Sequence, residues 1–80
     1  KTMIVEIISP DKVLFKGELS AVQLPGIDGS FEILDHHAPL VSILKEGEIK
    51  MVDAKKKEKL IPVNGGVIEV LENSEKILVE

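Results

Sequence analysis

Short runs of apolar residues, separated by polar turns, repeat along the whole 80-residue chain. Several runs alternate between apolar and polar positions, as in segment 48–52, where Ile49 and Met51 fall on one face. Alternation with a period of two is typical of half-buried strands, and no long stretch shows the capped 3.6-residue period of a helix. The pattern predicts strands over Met3–Ile8, Val13–Phe15, Glu18–Leu24, Phe31–Leu34, Leu40–Leu44, Glu48–Val52, Leu60–Val63, Val67–Leu71 and Lys76–Val79.

Proline and glycine positions indicate where these strands end. Pro10 has no N–H to donate to a sheet, so it ends the first strand, and Gly17 is expected to close the second. Asn64, Gly65 and Gly66 form a turn signal, because glycine adopts positive φ at low steric cost. Residues 1–80 are therefore predicted to form one all-β domain, a small two-sheet antiparallel β-sandwich of about 8–10 short strands with almost no helix.

Composition excludes several classes of protein. The formal net charge of −4 disfavours nucleic acids and anionic membrane surfaces as partners, because their binding depends on Lys and Arg. The chain has no cysteine, which excludes disulfides and thiolate metal sites. No apolar run approaches the roughly 20 residues of a membrane span, so direct membrane insertion is not expected. Phe15 and Phe31 are the only aromatic residues, so the core must be aliphatic.

Both histidines, and most of the turn-forming residues, lie in the segment Leu24–Leu40. Asp35, His36 and His37 have the residue types of a metal site, but neighbouring residues on a strand point to opposite faces. No third ligand follows at a suitable spacing, so we expect no metal site.

Two further patterns in this segment resemble sites of chemistry. Ser30, Asp35 and His37 have the residue types of a nucleophilic triad, but such types occur together by chance in almost any chain. Gly26 and Gly29 are spaced as in a phosphate-binding loop, but the Lys-Ser/Thr ending and a following helix are missing. We therefore expect a tight turn, with no catalytic residue, cofactor or small-molecule substrate.

The same segment resembles a known family. A Gly-x-x-Gly turn (26–29), a short strand (31–33) and His-Ala-Pro-Leu (37–40) follow one another as in the N-terminal β-sandwich domain of the ε subunit of F-type ATP synthases. Further similar segments are Ile-Ile-Ser-Pro (7–10), Phe-Lys-Gly (15–17), Lys-Glu-Gly-Glu-Ile (45–49) and Asn-Gly-Gly-Val-Ile-Glu-Val (64–70). Glu32, Asp35 and His36 depart from the glycine, proline and glycine of many members. The C-terminal helical hairpin of many members has no counterpart here, so its inhibitory role is not expected.

The resemblance implies a non-catalytic rotor subunit of the central stalk. It would link the γ shaft to the membrane c ring and support the coupling of proton transport to ATP synthesis. It would be peripheral on the cytoplasmic face of a bacterial inner membrane, as part of the F1 sector, or on the matrix or stroma side in an organelle. The residues expected to face the c ring are Asp28, Gly29, Ser30 and His37, and those expected to face γ are Ser9, Leu40, Val41 and Ile43.

A biotinyl- or lipoyl-carrier domain is the alternative. Such domains are small, acidic and all-β, and they present a modified lysine on a hairpin tip, where Asp53, Ala54 and Lys55 give a partial match. The three consecutive lysines at 55–57 lack the neighbours that surround a carrier lysine, and the two-fold internal repeat is missing. We interpret these lysines as a solvated hairpin tip, because they have no aromatic residue beside them to stack on a nucleic-acid base.

Overall fold

A computed structural model describes residues 2–80, which form nine β-strands and no helix. The all-β prediction is therefore confirmed. The strands are β1 (Met3–Ile8), β2 (Val13–Leu19), β3 (Ala21–Gly26), β4 (Gly29–Leu34), β5 (Leu40–Leu44), β6 (Gly47–Val52), β7 (Glu58–Val63), β8 (Gly66–Leu71) and β9 (Ser74–Val79).

The strands form two layers that join at one corner. The five-stranded sheet has the order β2-β1-β9-β8-β5, and the four-stranded sheet has the order β4-β3-β6-β7. Gly26 of β3 pairs with Leu44 of β5 at the corner, where the Lys45 N–H also donates to the Pro25 carbonyl at 2.8 Å. The sandwich is thus closed between β5 and β3 and open between β2 and β7.

Alternating side chains from both sheets fill the space between the layers. In β6, Ile49 and Met51 are buried as the sequence pattern predicts, and Lys50 points outward. Each large aliphatic side chain that is fully buried stabilises the fold by roughly 1.5–3 kcal/mol. The buried core consists of Met3, Val5, Ile7, Leu19, Val22, Leu24, Ile33, Leu44, Ile49, Met51, Val63, Ile68, Val70, Ile77 and Val79.

The second strand is longer than predicted, and the break that follows it lies elsewhere. Gly17 does not close the strand, because it is paired with β1 inside the ladder and the Phe15 ring lies over it. A Cβ at position 17 would approach that ring to 3.2 Å. The chain instead breaks at Ser20, whose Oγ donates to the Val52 carbonyl at 3.1 Å. The predicted strand Glu18–Leu24 is therefore divided between β2 and β3.

One pair of strands departs from the predicted antiparallel arrangement. β1 lies parallel to β9, with Val5 opposite Glu75. Parallel neighbours need a long connection, and the seven strands between β1 and β9 provide it. β9 consequently lies in the middle of the five-stranded sheet, where its inward-pointing side chains enter the core.

Candidate interaction surfaces

A continuous row of apolar side chains crosses the outer face of the five-stranded sheet. Ile43, Val67 and Leu78 lie opposite one another on β5, β8 and β9. Leu78 also lies opposite Ile8 of β1, which in turn lies opposite Val13 of β2. Ile8 is half-buried, and the other four side chains are between 40% and 56% exposed. We call these five residues the apolar row; at the usual strand spacing it spans roughly 19 Å.

Charged side chains form a second row beside the apolar row. Glu69, Lys76, Glu6 and Lys16 follow one another across β8, β9, β1 and β2, each opposite the next. Opposite charges that face each other across strands stabilise a sheet by roughly 0.2–1 kcal/mol per pair. An exposed apolar strip beside fixed charges is typical of a protein-binding surface, since apolar contact supplies affinity and charge supplies orientation.

Two of the four residues predicted to face γ lie on this outer face. Val41 is 68% exposed and precedes Ile43, with both side chains directed outward. Leu40 points the other way and packs against the core, as alternation along β5 requires. Ser9 lies in the turn after Ile8, where its Oγ accepts a hydrogen bond from the Lys12 N–H at 3.2 Å. It is therefore next to the apolar row without belonging to it.

The four residues predicted to face the c ring do not form one corner. Asp28, Gly29 and Ser30 lie at the β3–β4 turn, all exposed, and Gly29 has a φ of 128°. His37 follows the far end of β4, so the length of this strand, about 17 Å, separates it from the turn. The turn and His37 therefore belong to opposite ends of the four-stranded sheet.

The histidine pair lies on the surface beside the β8–β9 turn. The His36 N–H donates to Asn73 Oδ1 at 2.6 Å, and His36 Nδ1 lies 2.9 Å from Asp35 Oδ2. Ser30 is at the other end of β4 from Asp35 and His37, so the residue types of a triad are not brought together. Within residues 2–80, no three side chains of metal-binding type are grouped where they could hold an ion.

The lysine run lies at the β6–β7 turn, as predicted. Asp53 Oδ1 accepts hydrogen bonds from the Lys55 N–H at 2.8 Å and the Lys57 N–H at 3.0 Å. Lys56 has a φ of 66°, so this turn has a defined shape although its lysine side chains are exposed.

Glu75 places a carboxyl group in the core, which the sequence pattern did not predict. Glu75 is 1% exposed, and neither of its Oε atoms has a hydrogen-bond partner in the described chain. Its strand neighbours on the same face are Val5 and Val70. Burial raises the pKa of this carboxyl from its ordinary 4.5 to about 7, because an apolar environment disfavours the charged form.

Two curated relatives of the chain have the same name. This chain is 38% identical to an ATP synthase epsilon chain of Chlorobium limicola over 80 residues, which are 100% of this chain and 91% of that one. It is 46% identical over 78 residues to an ATP synthase epsilon chain of Leptospira borgpetersenii serovar Hardjo-bovis, covering 95% of this chain and 59% of the relative. The chain thus spans nearly all of one relative and about three fifths of the other.

Solved structures have the same fold at low sequence identity. A chain of the Euglena gracilis mitochondrial ATP synthase superposes with a TM-score of 0.93 at 18% identity, covering 98% of this chain and 50% of that one. A chain from the structure of the Tetrahymena thermophila mitochondrial ATP synthase central stalk and c ring superposes with a TM-score of 0.80 at 20% identity, covering 99% of this chain and 63% of that one.

Among residues 2–80 no helix has the length and hydropathy needed to cross a membrane. The model of the β-sandwich domain of the ATP synthase delta/epsilon chain matches residues 2–80, and the chain belongs to this family.

Proposed function

We propose that this domain is a non-catalytic rotor part of an F-type ATP synthase. It links the γ shaft to the c ring and supports the coupling of proton transport to ATP synthesis. Membership of the delta/epsilon chain family supports assembly into an ATP synthase. The proposed location is peripheral, in the F1 sector on the cytoplasmic face of a bacterial inner membrane, or on the matrix or stroma side in an organelle.

The observation that carries this proposal is the apolar row. The outer face exposes four aliphatic side chains in line, and their contact with water is unfavourable. A partner that covers them gains roughly 25 cal/mol of binding free energy for each Å² of apolar surface removed from water. We assign γ to this face, with Val41 and Ile43 at one end of the contact and Val13 at the other. The flanking charge row would fix the direction in which γ lies across the strands.

A rotor part needs a second contact, with the c ring. The exposed turn at Asp28, Gly29 and Ser30 lies at one end of the four-stranded sheet, and we assign it to the c ring. The turn adjoins the β5 end of the apolar row, because the Ile27 N–H donates to the Ile43 carbonyl at 3.2 Å. Both proposed contacts would therefore rest on one close-packed aliphatic body, which resists compression and so transmits force. His37 lies beyond the other end of β4, about 17 Å from this turn, and we propose it as a separate contact with the ring.

Titration of the domain with its own γ subunit tests the main contact. Ile43→Asp and Leu78→Asp should each weaken binding at least about tenfold, because each buries a carboxylate in an apolar contact. Leu60→Asp is the matched control, since Leu60 is 53% exposed on the outer face of the other sheet. Circular dichroism confirms that each variant is folded. Equal weakening by all three variants, or none by the first two, contradicts the assignment of γ to this face.

The carrier-domain alternative has no support from the family match, which covers residues 2–80 and is to a different family. Lys55 lies in a turn in which the Asp53 carboxylate accepts hydrogen bonds from the Lys55 and Lys57 N–H groups.

A further inference from the structure

The sandwich has an open side opposite the β5–β3 corner. β2 and β7 are the last strands of their sheets, so each is paired along one edge only within the described chain. A groove of about 510 Å³ runs between them, which is within the usual size of a ligand-binding cleft. We call it the side groove; its lining comes from residues 15–19 of β2 and from Met51, Asp53 and residues 57–59 on the other sheet.

The floor of the side groove is apolar, and one wall is a free strand edge. Leu19 and Met51 are almost fully buried beneath it, and Phe15 is half-buried. Gly17 adds no side chain, and the Phe15 ring covers its inner face, so a strand that pairs with β2 would pack against that ring. A free edge presents unpaired N–H and C=O groups, to which an extended peptide can add as a further strand.

The acidic side chains that line the groove are already engaged. Glu18 Oε1 accepts a hydrogen bond from Thr2 Oγ1 at 2.7 Å, and Glu58 Oε2 lies 3.5 Å from Lys50 Nζ. Asp53 accepts two N–H groups of its own turn. The Lys50 ammonium offsets part of the charge of Glu58, while Glu18 and Asp53 keep theirs.

The lysines of the groove have no such partners. The ammonium groups of Lys16, Lys57 and Lys59 make no hydrogen bond or ion pair with residues 2–80. Lys59 lies opposite Met51 and therefore on the inner side of β7. Its inward-pointing charge disfavours the approach of a purely apolar strand. Lys16 ends the charge row at the open edge, where the alternation of Glu6 and Lys16 calls for a carboxylate on the next strand.

We propose that the side groove binds an extended acidic peptide segment of another protein, which pairs with β2 as a sixth strand of the five-stranded sheet. Side chains of a strand alternate between faces, so its apolar residues point inward over Phe15 and Leu19. Its acidic residues point outward, one of them opposite Lys16. Lys57 and Lys59 attract the segment from the opposite rim and discriminate against basic sequences.

A capped hexapeptide of alternating valine and glutamate is the probe, and amide shifts of the isotope-labelled 80-residue chain are the measurement. We expect saturable shifts in residues 13–19 and 57–59. Lys16→Glu and Lys59→Glu should each weaken binding at least about fivefold, because attraction becomes repulsion. Lys45→Glu, at the closed side of the sandwich, is the matched control and should leave affinity within about twofold. A peptide with lysine in place of glutamate should bind at least about tenfold more weakly.

Three results would overturn the inference. They are equal binding of the glutamate and lysine peptides, shifts confined to another free edge such as that of β4, and the absence of saturable shifts at millimolar peptide. Because γ takes no part in this titration, its result does not depend on the proposed rotor function.

Discussion

Replacing Glu75 with glutamine should remove a specific pH dependence from the stability of this domain. The carboxyl is 1% exposed in the middle of the five-stranded sheet, with no hydrogen-bond partner in the described chain. Inward-facing side chains on the two adjacent strands are aliphatic or thioether: Met3, Val5 and Ile7 on β1, Ile68 and Val70 on β8. No charge on these faces offsets ionisation, so the folded state holds the Glu75 proton more tightly than the unfolded state.

The size of the effect follows from the pKa. Burial raises the pKa of Glu75 from 4.5 to about 7, and one unit corresponds to roughly 1.4 kcal/mol. The protonated Glu75 side chain is the form that the folded state favours, and its contribution to stability is fully present below pH 4.5. This contribution is lost as the pH rises through about 7. Ionisation therefore costs the folded state about 3 kcal/mol once the pH is well above 7. That is a large fraction of the few kcal/mol that typically stabilise a small domain.

Urea unfolding followed by circular dichroism, from pH 4.5 to pH 8.5, measures this effect. Intrinsic fluorescence is a poor probe here, because the chain has no Trp and no Tyr. Glu75→Gln should nearly match the parent at the acidic end and exceed its free energy of unfolding by roughly 2–3 kcal/mol at the basic end. Glu69→Gln, an exposed site on the neighbouring strand, should give a curve parallel to the parent. A parallel curve for Glu75→Gln as well would refute the reasoning.

Two further substitutions test other parts of the molecule. Gly66→Ala should lower the free energy of unfolding by at least about 2 kcal/mol, because its Cβ would lie 2.2 Å from the Leu78 carbonyl oxygen. Gly29→Ala, with positive φ but open space around its Cβ, should cost only about 1 kcal/mol, and urea unfolding of both variants compares them. Asp28→Lys combined with Glu32→Lys should weaken co-purification with c rings without changing γ binding, and unaltered ring assembly would count against the turn as the ring contact.

Local features of the fold could be predicted from the sequence because their causes are local. Alternation identified the buried face of β6, and Asn64, Gly65 and Gly66 marked the turn before β8, where Gly65 has a φ of 133°. Strand ends were less accurate. β7 begins at Glu58 instead of Leu60, because pairing with β6 extends a strand into residues with weak strand preference.

Features that depend on the neighbouring strand could not be predicted in this way. The apolar row exists because Ile43, Val67 and Leu78 are in register across three strands, and a single sequence does not specify that register. Glu75 was within reach of the pattern, since counting back by twos from Val79 through Ile77 places it on the buried face. The predicted last strand, Lys76–Val79, began one residue after Glu75, so the burial of this carboxyl was not predicted.

The position of β9 has a consequence for biosynthesis. The ribosome makes this strand last of the nine, yet it fills the gap between β1, which is made first, and β8. Until it emerges, one side of β1 is an unprotected edge, and Val5 and Ile7 lack the neighbours that cover them in the finished domain. Nascent chains of this domain are therefore open to edge-to-edge aggregation until the final strand has emerged from the ribosome.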